Sequence, residues 1–320
     1  MGPGQTSTRE SDPRRLGRWD VVSAAVALGL AIVLMALFAA IAPEFRSLSG
    51  GLSLGAAWWF YTLLALGLTL VMTTGRMDVS GASVAALAGA VAAKLAVIGL
   101  PLLVGFVPGA ILAVLIGIAN GLIATVSRPV SFVGTLATAA FCQALTAQLL
   151  GAPAVTLPSG LHGLTPLIVP AVMLAMAAAA VTVIALLSPA GDRLRRLGRE
   201  QQPAPTRVLV VTLVATYAAA AVLAAGAGVG QVAQAGTAFA TASPRTEIAV
   251  IAAAILGGAS LRGGRGAGYG AVASALALTV LLFGLSAAGV SPAASTAVVG
   301  VLLVALLVWD ELRPRLLGPD

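Results

Sequence analysis

Long apolar runs separated by short polar segments dominate the sequence. Apolar runs of about 18 or more residues are long enough to form helices that cross the hydrocarbon core of a bilayer. The pattern therefore predicts an all-α, polytopic membrane protein with about ten transmembrane helices. The predicted segments lie near residues 22–41, 52–72, 80–98, 102–126, 131–150, 164–187, 208–228, 248–256, 268–285 and 293–309. The eighth is too short to span alone, so we expect it to extend through flanking residues or to enter as a broken helix packed within protein.

The basic residues lie mostly on one side of this arrangement. If the N-terminus is in the cytoplasm, 15 of the 18 basic residues lie on the cytoplasmic side of the membrane. The exceptions, Arg46, Lys94 and Arg245, lie on the outer side or near the outer edge of the membrane. This bias favours an even number of spans and places both termini in the cytoplasm. The chain then divides into an Arg-rich cytoplasmic tail at residues 1–20, a transmembrane region at 21–310 and a short cytoplasmic tail at 311–320. We expect the first tail to be disordered before Arg18.

Composition and charge exclude several classes of function. The chain is 59% hydrophobic and only 9% charged, whereas soluble domains carry about 25% charged residues. The net charge of +7 is spread over short loops, which is typical of membrane orientation rather than of nucleic-acid binding. The only lysine, Lys94, is followed by Leu95, so the chain cannot contain the Walker A sequence G-x-x-x-x-G-K-[ST]. Any ATP-driven step would therefore need a separate subunit to bind ATP and Mg²⁺.

Residues that could catalyse a reaction or hold a metal are scarce. The single cysteine, Cys142, and the single histidine, His162, exclude an intrachain disulfide and a Cys/His metal cluster. The acidic residues form no evident close catalytic pair. We expect no enzymatic activity, no cofactor and no metal site in this chain.

A few polar residues lie in or beside the apolar segments and are candidates for a translocation pathway. Asp78 either forms a loop ion pair with Arg76 or is buried facing a cavity, because an ionisable group at membrane depth is costly without a function. Asn120 either bonds between helices or lines a pathway. Thr135 and Gln143 lie eight residues apart, on nearly one face of the fifth span, with the same two alternatives.

Two further features also have two interpretations. Glu247 opens the short eighth segment, where a carboxylate stabilises a helix N-terminus or takes part in function. The aromatic cluster near the outer end of the second span belongs to an interfacial belt or to the external mouth of a pathway; its members are Trp58, Trp59, Phe60 and Tyr61.

A glycine-rich loop, "ILGGASLRGGRGAG", connects the eighth and ninth segments on the predicted cytoplasmic side. Its glycines permit positive φ, and its N–H groups beside two arginines could hold an anion. No strand precedes it, so dinucleotide binding is excluded in practice, and a packing or gating turn is the better interpretation. The candidate residues of the loop are Gly257, Gly258, Ser260, Arg262, Gly263, Gly264, Arg265 and Gly266.

Three stretches carry a resemblance to a known family. "TGRMDVSGASVAALAGAVAA", "ANGLIATVSRPVSFVGTLAT" and the segment that begins "EIAVIAAAILGGASLRGGRGAGYG" resemble the permease subunits of ribose-type ABC importers, which include other monosaccharide and autoinducer-2 permeases. The resemblance covers about residues 52–307. The matching positions are Asp78, Ser80 and Ser83 in the first stretch, Asn120, Gly121, Phe132, Thr135 and Leu136 in the second, and Glu247 with the glycine-rich loop in the third.

The resemblance implies a transport subunit without covalent chemistry. Its expected partners are a cytoplasmic ABC ATPase, an extracytoplasmic solute-binding protein, and a second copy or a related permease that completes the route. The expected solute is a small polar molecule, most simply a monosaccharide. The expected location is the bacterial inner membrane. The alternative is a permease-like facilitator or regulatory membrane partner that has lost ATPase coupling.

Two departures from the family pattern bear on coupling. Gln143 stands where family members usually carry an arginine. The loop between the sixth and seventh segments corresponds to the loop that faces the ATPase in the family. Here it is shortened and contains Pro203 and Pro205. A regular coupling helix across these prolines is therefore not expected. This shortening is consistent with the weaker half of a heterodimer. The ATPase-facing candidates are Arg193, Arg195, Arg196 and Arg199.

Overall fold

The protein is described from a computed structural model, which covers residues 13–157, 180–182, 184–186, 188–200, 206–240 and 242–317. Within these ranges the chain forms an all-α bundle with one short pair of strands and a 3-10 turn at Pro43–Arg46. The helices are α1 Pro13–Ile41, α2 Leu48–Thr73, α3 Gly81–Val97, α4 Leu102–Ala124, α5 Arg128–Leu150, α6 Pro189–Arg199, α7 Arg207–Ala235, α8 Pro244–Leu256, α9 Gly268–Ala287 and α10 Pro292–Leu317. The strands β1 Ala154–Thr156 and β2 Thr237–Phe239 pair antiparallel.

Seven of the described helices are long and apolar enough to cross a membrane: α1, α2, α4, α5, α7, α9 and α10. The third and eighth predicted segments form shorter helices of 17 and 13 residues. At a rise of about 1.5 Å per residue, α8 is roughly 20 Å long and cannot span the hydrocarbon core alone. The sixth predicted segment lies largely outside the described residues. Helix α1 begins at Pro13, upstream of the predicted first segment, and α10 continues to Leu317.

Helix α2 forms the centre of the bundle. Every residue of its second half, from Tyr61 onward, is buried, whereas α1 and α10 lie at the periphery with large apolar faces exposed. Small residues allow neighbouring helices to approach closely, as they do in other membrane bundles. A side chain at Gly228 of α7 would overlap the backbone of Ala85 on α3, and one at Gly117 of α4 would lie 2.7 Å from the carbonyl oxygen of Tyr217 on α7.

The connection between α2 and α3 is non-helical and partly buried. It turns at Gly75, whose φ is +73°, and then runs through residues 76–80 to the start of α3. Irregular backbone at membrane depth is tolerated only where protein or a cavity surrounds it. This connection carries Asp78 and Ser80 back into the bundle.

The glycine-rich loop, residues 257–266, forms a compact turn between α8 and α9. Gly258, Gly263, Gly264 and Gly266 have φ values of +99°, +82°, +75° and +137°, which L side chains rarely adopt. The loop packs against the end of α2, where Gly264 N donates to the carbonyl of Thr73 at 3.0 Å. This geometry supports the packing-turn interpretation. We call the end of the bundle that holds this loop, α6 and the start of α5 the arginine-rich end.

Helix α10 holds the glycine-rich loop through its acidic residues. Arg265 Nη2 lies 2.7 Å from Asp310 Oδ1, and both side chains are nearly fully buried. Asp310 Oδ2 also accepts from Ser260 Oγ at 3.0 Å and from Leu261 N at 3.1 Å. Arg262 pairs with Glu311 at 2.6 Å, but about half of each of these side chains is exposed. The two arginines that could have held an anion are therefore both paired with carboxylates.

The two ion pairs give a matched prediction for stability. Arg265→Gln leaves the buried carboxylate of Asp310 without its cation and should lower the free energy of unfolding by about 3–5 kcal/mol. Arg262→Gln removes the exposed pair and should cost less than about 1 kcal/mol. Denaturant unfolding of the two purified variants in detergent micelles measures the difference. Equal destabilisation by both substitutions would contradict the assignment of Arg265 as the main anchor of the loop.

The shortened loop before α7 still contains a helix. Helix α6 starts after Ser188, whose Oγ accepts from Ala190 N at 3.2 Å, and ends at Arg199. Its exposed side chains include Arg193, Arg196 and Arg199, and Arg195 pairs with Asp192 at 2.8 Å. The prolines at positions 203 and 205 lie outside the described residues, after the end of this helix. The four arginine candidates therefore all lie on α6.

Candidate functional site

The residues around Asp78 form a hydrogen-bonded chain that joins the connection before α3 to α4 and α5. Asp78 Oδ1 accepts from the backbone N and the Oγ of Ser80, at 2.8 and 2.6 Å. Asn120 of α4 donates from Nδ2 to Ser80 Oγ at 3.0 Å, and its Oδ1 accepts from Thr138 Oγ1 of α5 at 2.7 Å. The amide is 1% exposed, so these bonds satisfy both of its ends where water has almost no access.

A second group of bonds joins α3, α5 and α8. Ser83 Oγ donates to Glu247 Oε1 at 2.9 Å and accepts from Gln143 Nε2 at 3.1 Å. Ser83 is fully buried. The carboxylate of Glu247 therefore bonds to a neighbouring helix, and the N-cap residue of α8, Ser243, makes no side-chain cap bond. Glu247 thus contributes to the site and is more than a helix-terminal charge.

The carbonyl of Met77, next to Asp78, is held by hydroxyl groups. Ser131 Oγ of α5 donates to it at 3.1 Å, and Tyr217 OH of α7 donates to it at 3.3 Å. Thr135 Oγ1 accepts from Val79 N at 3.3 Å. These contacts hold the non-helical connection in place beside α5.

Arg76 does not pair with Asp78. Its Nε donates to the carbonyl of Ala124 at the end of α4, at 2.8 Å. The alternative of a loop ion pair is therefore not what the structure shows, and Asp78 instead faces a cavity.

That cavity is narrow, with a volume of about 30 Å³, and lies between α2, α3, α4, α7 and α8. Asp78, Ser80, Asn120 and Glu247 contribute its polar lining, and apolar residues and small residues form the rest. Among the described residues that line it, both charged side chains are carboxylates.

A larger cavity of about 630 Å³ lies toward the other end of the bundle, beside β2. Ala82 lines both cavities, so the two adjoin at the start of α3. The lining of the larger one includes amide, aromatic and hydroxyl side chains together with one arginine: Phe60, Tyr61, Gln231, Gln234, Thr237, Arg245 and Thr246. Trp59, Phe60 and Tyr61 are buried, and Phe60 and Tyr61 line this cavity, so this part of the aromatic cluster lies inside the bundle and not in an interfacial belt.

The structure divides the predicted candidates into two groups. Asp78, Ser80, Ser83, Asn120, Thr135, Gln143 and Glu247 come together around the smaller cavity. The glycine-rich loop and the arginines of α6 lie at the arginine-rich end. Thr135 and Gln143 lie 7 and 15 residues after the start of α5, so along this helix the first group begins roughly 10 Å from the arginine-rich end and extends to roughly 20 Å.

Sequence reasoning missed three members of the site: Ser131, Thr138 and Tyr217. Ser131, Thr135 and Thr138 recur at helical spacing on α5, and this hydroxyl stripe is the signal that could have identified two of them. Nothing in the local sequence marks Tyr217, which becomes relevant only because α7 packs beside the connection that carries Met77.

A bundle of several apolar helices with a polar cluster buried beside adjoining cavities is typical of a membrane permease. The family described as the permease component of branched-chain amino acid transport systems matches residues 47–307, and the chain belongs to this family. The match confirms the resemblance found in the sequence.

Two of the relatives that the chain resembles are named as ribose import permeases. The chain is 30% identical to the ribose import permease protein RbsC of Escherichia coli (strain K12) over 294 residues, covering 88% of this chain and 91% of the relative. It is 30% identical to RbsC of Bacillus subtilis (strain 168) over 259 residues, covering 78% and 80%. A probable ABC transporter permease, y4mJ of Sinorhizobium fredii, is 29% identical over 96% of this chain and 93% of its own length. No solved structure matches the chain significantly. The chain is therefore a permease component of the sugar ABC importer type.

Proposed function

We propose that this chain forms the translocation route of an ATP-driven importer for a neutral, polyhydroxylated solute such as a monosaccharide. The observation that carries the proposal is the buried chain of bonds from Asp78 to Thr138 beside the two adjoining cavities. The larger cavity receives the solute from an extracytoplasmic binding protein, and the smaller cavity is the constriction that the transport cycle opens and closes. Carboxylate, amide and hydroxyl groups offer hydrogen bonds to the hydroxyls of a sugar during passage.

The acidic lining of the constriction supports a neutral sugar over an anionic solute. Asp78 and Glu247 are the charged groups among its described lining residues. An anionic solute would be desolvated beside two acidic side chains, with no basic residue among the described residues that line this cavity, which disfavours its passage. A neutral sugar meets no such repulsion. The names of the ribose permease relatives agree with this preference.

The arginine-rich end is the face proposed to dock the ATPase. Helix α6 exposes Arg193, Arg196 and Arg199 there, and the distribution of arginines supports a cytoplasmic location for this end. The importer then lies in the bacterial inner membrane with both termini of the permease in the cytoplasm. ATP and Mg²⁺ bind to the ATPase, and a second copy of this chain or a related permease completes the route.

Reconstitution tests the proposal directly. Proteoliposomes that contain the permease, its ATPase and its solute-binding protein should take up radiolabelled D-ribose only when ATP is supplied, because the ATPase drives the alternation between the two openings. Omission of the ATPase is the control. Uptake that persists undiminished without the ATPase would contradict the importer and favour the facilitator. Mass spectrometry of the purified active complex distinguishes two copies of this chain from a heterodimer.

A further inference from the structure

Arg128 is the first residue of α5 and joins three separate segments at the arginine-rich end. Its Nη2 donates to the carbonyl of Gly198 at 2.6 Å and to that of Glu200 at 2.9 Å. Its Nη1 donates to the carbonyl of Arg262 in the glycine-rich loop at 2.9 Å. The first two acceptors lie at the C-terminal end of α6, where the helix dipole favours a cation. The guanidinium therefore binds α6 and the glycine-rich loop to α5.

The backbone segments around Arg128 are packed so closely that none can move without displacing its neighbours. A side chain at Gly75 would lie 2.7 Å from Arg128 Nη2, and one at Gly198 would overlap the Thr73 carbonyl and the Gly264 nitrogen. Protein interiors packed in this way transmit displacement instead of absorbing it. Helix α6, the end of α2 and the glycine-rich loop should therefore shift together.

From Arg128, helix α5 runs directly into the polar site. Its successive turns carry Thr135, which bonds to Val79, then Thr138, which bonds to Asn120. Gln143, farther along, bonds to Ser83. A displacement at the start of this helix would thus reach the groups that surround the carboxylates of the constriction.

We propose that Arg128 is the positioning residue that couples movement of α6 to α5, and through α5 to the Asp78 site. This inference rests on the proposed function, because an ATPase docked on α6 supplies the movement. Arg128 does not touch the solute in this mechanism. It fixes the relation between the ATPase-facing helix and the helix that holds the constriction.

A merely structural Arg128 would produce a different pattern. Loss of a structural bond lowers the amount of assembled complex, and basal ATP hydrolysis, stimulated hydrolysis and uptake then fall in proportion. Loss of coupling leaves assembly and basal hydrolysis in place while hydrolysis no longer responds to the loaded binding protein. The ratio of stimulated to basal hydrolysis separates the two roles.

The test uses Arg128→Gln in the reconstituted complex, with D-ribose as the solute. The loss of three charge-assisted hydrogen bonds should reduce both the stimulation of hydrolysis by the loaded binding protein and the uptake of D-ribose by about tenfold or more. Basal hydrolysis and the half-saturating D-ribose concentration should not change. Arg128→Lys retains the charge but not the fork geometry, and should restore part of the stimulation. Arg207→Gln, which removes an exposed arginine at the start of α7, is the matched control and should behave as the unmodified complex.

A second substitution, on α6, tests the contact between α6 and Arg128. Gly198→Ala forces α6 away from Thr73 and Gly264 while Arg128 is intact, and should produce the same loss of stimulation with basal hydrolysis retained. Stimulation equal to the Arg207→Gln control in both variants would overturn the inference. So would a proportional fall of all activities in both. Failure of the unmodified complex to transport D-ribose with ATP would instead contradict the proposed function.

Discussion

Replacement of Asp78 by alanine should lower ATP-driven uptake by about 10- to 100-fold, because removal of a charged acceptor from a buried hydrogen bond costs about 1.5–3 kcal/mol. The substitution leaves the N–H and the hydroxyl of Ser80 without the acceptor that both now share. Ser80 then no longer presents a fixed hydroxyl to Asn120, and the chain of bonds to α5 loosens. Uptake of D-ribose at equal amounts of reconstituted complex measures the effect.

Two further variants make this result specific. Asp78→Asn retains an acceptor but not the charge, and should lose about tenfold, since neutral hydrogen bonds are roughly half as strong as charge-assisted ones. Glu44→Ala removes an exposed carboxylate from the 3-10 turn and should leave uptake unchanged. Uptake by Asp78→Ala within twofold of the control would remove Asp78 from the pathway.

Valine at Gly263 should abolish uptake while the permease still inserts into the membrane. The φ of +82° strains a β-branched residue by about 1–3 kcal/mol, and its Cβ would overlap the Cα of Gly75. The loop can relieve the backbone strain and the steric overlap only by moving away from the end of α2 and from α6. Membrane fractionation measures insertion, and D-ribose uptake measures function.

The control for this prediction is Gly300→Val on α10. A Cβ at Gly300 meets no neighbouring atom within 4 Å, so the same substitution is tolerated there. Valine at Gly264, where φ is +75°, should reproduce the defect. Normal uptake by both loop variants would show that the special backbone geometry is not needed for transport.

Local sequence predicted the parts of this protein that depend on composition. The long apolar runs of α1, α2, α4, α5, α7, α9 and α10 each reach the length of about 20 residues that a bilayer requires, so their helical state follows from the chain alone. The short eighth segment was correctly predicted to be too short to span. The prediction for the loop before α7 is incomplete, because Pro203 and Pro205 exclude a helix only across their own positions, whereas the stretch "PAGDRLRRLGR" that precedes them is helical.

The sequence by itself determined that this is a multi-pass permease, and it identified Asp78, Asn120, Gln143 and Glu247 as unusual polar residues in an apolar chain. Only the tertiary structure decided what those residues bond to. Ser83 contacts Glu247 across 164 positions of the chain, and Arg128 contacts Arg262 across 134. Hydropathy depends on each residue and its neighbours, whereas such bonds depend on how helices pack. The choice between an ion pair with Arg76 and a cavity for Asp78 therefore required the folded chain.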